Sequence, residues 1–147
     1  MIIDADGQVL GRMSSYAAKK ALLGENVIVV NAEKAVVVGR RDEILHQYAS
    51  RLERKSKSAV TKGPYHQKRP DRFVRKTIRG MLPWNKSRGI EAYKKVMVYI
   101  GTPMEVIKEK HSVDIKKEKP VKIGANVRED ANFLTVGEIC KFIGGSW

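Results

Sequence analysis

Acidic side chains are nearly missing from the middle of this chain. Residues 51–95 hold 15 lysines and arginines against 3 aspartates and glutamates, which is net +12 of a formal total of +13. The flanking residues 1–50 and 96–147, with 6 against 6 and 8 against 7, are close to neutral. A surface selected for solubility alone intersperses both signs, so the deficit points to a polyanionic partner, nucleic acid being the commonest. Cysteine is also scarce. The single Cys140 excludes an internal disulfide framework and fits a reducing compartment, and its apolar helical setting predicts a buried, inert thiol. No run approaches the ~18 apolar residues of a membrane span, so no membrane partner is expected. Met1-Ile2-Ile3 runs straight into Asp4 and Asp6, without the basic-then-apolar order of a secretory signal. A soluble cytoplasmic protein is the expectation.

Chemistry-bearing motifs are equally sparse. There is no glycine-rich phosphate loop and no dinucleotide fingerprint. His46, His66 and His111 are far apart, and one cysteine cannot supply a thiolate zinc site. No serine has a local base and orienter. These absences predict no metal, no cofactor and no small-molecule substrate. Sequence-specific reading of duplex DNA is also unexpected, because no zinc finger, homeodomain or similar module is visible.

What is present suits one α/β domain. With 147 residues and 42% hydrophobic content, the chain is large enough to bury about two thirds of its unfolded surface. Residues 2–5 predict a strand turning at Asp6-Gly7. Leu10, Met13, Ala17 and Ala21 share a helical face, mostly small, which lets the helix lie close to a sheet, and Gly24 is a suitable stop. Val27-Ile28-Val29-Val30 predicts a strand covered on both faces. Ala35–Val38, closed by Gly39, is either a strand or a buried connection. Ile44, Leu45, Tyr48 and Leu52 are helix-spaced. Val96–Ile100, ended by Gly101, is the last clear buried strand. Strand and helix alternate, which predicts a small, mainly parallel sheet between helices. Beyond it, Thr102-Pro103-Met104-Glu105 and Thr135-Val136-Gly137-Glu138 predict two capping boxes. The second opens a helix through Ile139, Phe142 and Ile143. Lys116–Lys122 has little core potential. The expected organisation is one domain over residues 1–101 and a C-terminal extension with short helices, 102–147, packed on it.

The basic stretch contains the sharpest pattern. Between Asp71, a suitable N-cap, and Pro83, Arg72, Arg75, Lys76 and Arg79 fall on one helical face. Phe73, Val74, Ile78, Met81 and Leu82 fall opposite. Cations packed this closely repel one another, and an external anion relieves the repulsion. Flanking segments mix glycine or proline with cations and aromatics. Lys62, Tyr65, His66, Lys68 and Arg69 lie before the helix, and Trp84, Asn85, Lys86 and Arg88 after it. Lysine and arginine neutralise phosphates, while an aromatic ring offers a stacking face to an unpaired base. Trp84 serves equally well as a core anchor, and the local sequence leaves both roles open.

One catalytic rival exists. A strand ending in Asp4-Ala5-Asp6-Gly7 resembles the first motif of haloacid-dehalogenase-type phosphohydrolases, with Asp4 as nucleophile and Asp6 as acid/base. Gln8 departs from that motif, and the only acidic pair in the second half of the chain, Glu129-Asp130, lacks a strand-end context. A strand followed by an Asp-Gly turn explains the same residues.

Arg75-Lys76-Thr77-Ile78-Arg79-Gly80-Met81-Leu82-Pro83-Trp84-Asn85-Lys86-Ser87-Arg88-Gly89, followed by Val96–Gly101, resembles the signature of the universal large-subunit ribosomal protein family L-thirteen (L13). Gly7-Gln8-Val9-Leu10-Gly11-Arg12-Met13 and Val29-Val30-Asn31-Ala32-Glu33-Lys34 match it in the same order and spacing. The resemblance covers roughly residues 1–101, and Tyr65–Arg72 is similar to the archaeal form. It implies a three-layer α/β/α fold around about four mainly parallel strands. It also implies a non-enzymatic place in the large ribosomal subunit, against 23S-type ribosomal RNA and neighbouring subunit proteins, with a role early in assembly. Arg72, Arg75, Lys76, Arg79, Lys86 and Arg88 would neutralise phosphates, Arg12 would add a contact, and Gly80 and Gly89 would let backbone approach RNA. A free RNA-binding chaperone or translational regulator fits the charge as well.

Overall fold

In chain order the elements are β1 (Ile2–Asp4), α1 (Leu10–Leu22), β2 (Val27–Val30), β3 (Val36–Val38), α2 (Arg41–Glu53), α3 (Pro70–Gly80), α4 (Ser87–Lys94), β4 (Val96–Val98), α5 (Met104–His111), β5 (Phe133–Thr135) and α6 (Val136–Phe142). They come from a computed structural model that describes residues 1–54, 63–112, 120–124, 126–127 and 131–147. Lys62, Lys116–Lys119 and Glu129-Asp130 lie outside the described residues.

The β-branched run of β2 sits at the centre of a parallel sheet ordered β1-β2-β4, with Ile2 opposite Ile28 and Val27 opposite Val96. A fourth position on the β1 edge is held by Val121, which bridges Ile3 in parallel and accepts from the Asp4 amide at 3.2 Å. All four β2 residues are buried, and strand alternation divides them between two cores. Val27 and Val29, with Ile3 and Val96, meet the small face of α1 (Met13, Ala17, Ala21), Val74 and Ile78 of α3, Ala92 of α4, and Val136 and Cys140 of α6. Ile28 and Val30, with Ile2, meet Ile107 of α5. The result is three layers with unequal outer leaves.

The open question at Ala35–Val38 is settled as a strand. β3 pairs antiparallel with β5, Val36 opposite Thr135 and Val38 opposite Phe133. This brings Leu134 and Ile139 onto Ile44 of α2 in a third apolar cluster. The Thr135 box forms as expected: its hydroxyl accepts from the Glu138 amide, and Glu138 accepts from the Thr135 amide. Thr102 does not cap α5. Pro103 occupies the N-cap without a side-chain hydrogen bond, so the helix starts one residue late and Thr102 lies outside it. Asp71 is not the cap of α3 either. Pro70, whose fixed φ and missing N–H suit the first helical position, takes that place, and Arg69 becomes the cap.

Candidate nucleic-acid interface

α3 is built from two incompatible faces. Val74 and Ile78 are fully buried, Phe73 and Thr77 are half-buried, and Arg72, Lys76 and Arg79 are exposed with Arg75 half-buried. The apolar face docks against α1, β4 and α6 and so fixes the direction of the cations. Met81, expected on the apolar side, is 41% exposed. The helix ends at Gly80, so helical spacing no longer carries Met81 round to the core.

The four cations line one groove of about 450 Å³ together with Tyr65, Gln67 and Tyr93. Among the described residues no carboxylate lies within ion-pairing distance of any of them. The helix's own acid, Asp71, turns instead to Arg69 at 3.4 Å. Two of the cations rest on aromatic rings. The Arg75 Cζ lies 4.5 Å from the centre of the Tyr93 ring, and the Arg79 Cζ lies 4.0 Å from that of Trp84. The two rings meet edge to face, 5.2 Å apart at 87°. Each cation–π contact contributes about 0.5–1 kcal/mol at exposed sites, which offsets part of the repulsion within the stripe.

The segment before α3 is fastened to the same groove. Lys76 Nζ donates to the Tyr65 carbonyl at 3.4 Å. A Cβ on Gly145 would stand 2.2 Å from the Lys68 carbonyl oxygen, so the chain's last turn packs directly under this segment. Tyr65 presents 74% of its surface to solvent, and Lys68 and Arg69 are exposed. His66 is half-buried with Nε2 unpaired. It lines an adjoining depression with Tyr48, Arg51, Arg54 and Phe73, which shares Gln67 and Lys76 with the α3 groove. On the far side, Asn85, Lys86 and Arg88 are exposed at the start of α4. Arg12 stands apart, in a shallow depression with Tyr16, Lys19 and Ile123.

Sequence reasoning missed Tyr93, Gln67, Arg51 and Arg54. The two arginines lie inside the charge-rich stretch and were legible as charge. Nothing local pairs Tyr93 with Arg75, because the contact exists only after α4 folds back on α3. Gly89 also plays a different part from the one the resemblance implies. It is buried, and a Cβ there would meet the Pro83 carbonyl oxygen at 2.1 Å. Its missing side chain therefore lets α4 close onto the Pro83-Trp84 turn. Gly80 is exposed, with open space around it.

The acidic pair at the start of the chain has turn roles. Asp4 Oδ1 accepts from the Asp6 amide at 3.1 Å and from Asn31 Nδ2 at 2.8 Å, while Asp6 lies 3.8 Å from Lys122. Among the described residues no group of three or more histidine, cysteine, aspartate or glutamate side chains is placed to hold a metal ion. No helix among them is long and apolar enough to cross a membrane. Burial, with the Asp71 charge adding to it, pushes the Cys140 thiol up to about 12, which keeps it protonated and unreactive at neutral pH.

Two comparisons with known proteins agree. A family model described as Ribosomal protein L13 matches residues 1–105. Large ribosomal subunit protein uL13 of Methanococcus maripaludis is 40% identical over 148 residues, spanning 100% of this chain and 99% of the relative. The proteins of the same name from Archaeoglobus fulgidus and Thermoplasma acidophilum are each 38% identical. The first match spans 97% of this chain and 86% of the relative, and the second 98% of both. These relatives are archaeal, and their similarity continues through the C-terminal third, beyond the reach of the family model.

Proposed function

The chain belongs to the ribosomal protein L13 family, and on that premise we propose that it is a structural constituent of the large ribosomal subunit, holding 23S-type ribosomal RNA through the α3 groove and its flanking segments. The family is structural and not enzymatic, in keeping with the turn roles of Asp4 and Asp6. One observation carries the RNA-binding reading: Arg72, Arg75, Lys76 and Arg79 converge on one groove while no described carboxylate pairs with them. Phosphate contacts supply most of the affinity, and RNA shape supplies register. Lys68, Arg69, Lys86 and Arg88 extend the cationic surface on both sides, and Arg12 adds a contact on a separate patch. Neighbouring subunit proteins complete the surroundings in the cytoplasmic ribosome, and docking on RNA early gives the protein its part in assembly.

Replacing Arg75 and Arg79 together by glutamate tests this reading. Both side chains lie outside the buried core, so the variant is expected to fold and to be lost from the large-subunit peak of a sucrose gradient. Normal incorporation of the double variant would show that α3 does not face RNA. The same gradient separates the runner-up: a free chaperone or regulator stays at the top, whereas a subunit constituent remains in the heavy fraction after a salt wash.

A further inference from the structure

Among the described residues, Trp84 and Tyr93 are the two whose rings carry a guanidinium of the cationic stripe, and both are already engaged. Arg79 lies over the Trp84 ring, Arg75 lies over the Tyr93 ring, and the rings brace each other edge to face. The four side chains form a continuous stack, Arg75–Tyr93–Trp84–Arg79, spanning one turn of α3. Of the Arg75 guanidinium nitrogens, only Nε is both buried and unpaired, which leaves its terminal amino groups at the groove. The stack depends on α4 lying against the Pro83-Trp84 turn, the approach that Gly89 permits.

We propose that Trp84 and Tyr93 are positioning residues for phosphate binding, holding the Arg75 and Arg79 guanidinium groups as a preformed fork for successive phosphates. This rests on the RNA-binding reading above and replaces base stacking as the role of Trp84. A guanidinium presents its donors in a fixed plane, and fixing that plane before binding removes ordering cost at the moment of binding. The proposal therefore requires that loss of the rings weaken binding to any polyphosphate, with or without bases.

The test compares two probes, large-subunit ribosomal RNA and inorganic polyphosphate, on the full chain carrying Trp84→Leu or Tyr93→Leu. Each substitution is expected to weaken both probes by a similar factor, about twofold to fivefold, the size of one cation–π contact. The salt slope should stay unchanged because no cation is removed. Trp84→Phe and Tyr93→Phe, which keep a ring, should restore most of the affinity. Loss confined to RNA would assign Trp84 to base stacking and overturn the proposal, and so would unchanged binding of both probes by folded variants. Free wild-type protein supplies a reading that needs no variant: ring-current upfield shifts on the Arg75 and Arg79 side-chain protons. Shifts at unstructured values would overturn it as well. Failure of the RNA-binding reading itself looks different, because wild-type protein would then bind polyphosphate and not the ribosomal RNA.

Discussion

Single residues decide more in this protein than their size suggests. Gly89 has no room for a methyl group, since its Cβ would sit 2.1 Å from one Pro83 atom and 2.5 Å from another. Gly89→Ala should cost about 1–3 kcal/mol, the range for overpacking, and should carry Tyr93 away from Arg75. A lower denaturant midpoint together with weaker RNA binding is the expected outcome, and unchanged values of both would contradict the close approach. Cys140 illustrates the opposite case, a reactive atom made inert by its surroundings. With its thiol pushed up to about 12 by burial, it should resist a thiol reagent at neutral pH in folded protein and react once the chain is unfolded. Rapid labelling of native protein would place the side chain at the surface. Its burial was legible from the apolar helical pattern around it. The constraint on Gly89 was not, because it comes from a carbonyl on the far side of a turn.

At the scale of elements, α3 and α6 show how far local rules reach. The α6 capping box was readable as four letters because all its hydrogen bonds lie within one turn. Hydrogen bonds from the Thr135 amide and hydroxyl hold the Glu138 carboxylate below its ordinary range. The folded state thus favours the ionised form. That stabilisation is complete above the unfolded glutamate value and fades as pH falls through the lower folded one. Glu138→Gln should flatten this part of the acid limb of a stability-against-pH curve, and an identical acid limb would remove the box from the account. Thr135→Ala should cost about 0.5–2 kcal/mol, the range for losing an N-cap. The amphipathic split of α3 was equally legible, since helical spacing sorts its residues before any tertiary contact forms. The same spacing failed at Met81, where the helix had already ended. The cap of α3 was misplaced onto Asp71 because proline at the first helical position outweighs a good capping side chain two residues from the N-cap. Thr102 was misjudged as a cap because Pro103 delays the start of α5.

For the molecule as a whole, the relevant quantity is charge without internal partners. The described ion pairs are Lys20–Glu25, Arg40–Glu43, Arg69–Asp71 and Lys122–Asp6, and only one of them draws on the basic middle of the chain. If about six phosphates are neutralised, the logarithm of the RNA-binding constant should fall against the logarithm of salt with a slope on the order of −4 to −5. An affinity insensitive to salt would rule out phosphate neutralisation as the main source of binding. Removing one groove cation, as in Arg72→Gln, should make the slope shallower by about one unit at most. The distinction from Trp84 and Tyr93, whose loss leaves the slope alone, makes these measurements complementary.

Local order along the chain determined most of the strands and helices, though not β3, α4 or β5, as well as where the charge surplus lies, which side of α3 is apolar, and that Cys140 is enclosed. Each follows from interactions within a few residues, where periodicity and capping chemistry act. Only the tertiary structure decided that β5 returns to pair with β3, that Val121 occupies the sheet edge, and that rings from α4 and the preceding turn brace Arg75 and Arg79. Apart from Arg79 and Trp84, five residues apart, those pairings join residues distant in sequence, and their choice depends on how whole faces fit together. A short stretch of sequence specifies a face but not the surface that will cover it.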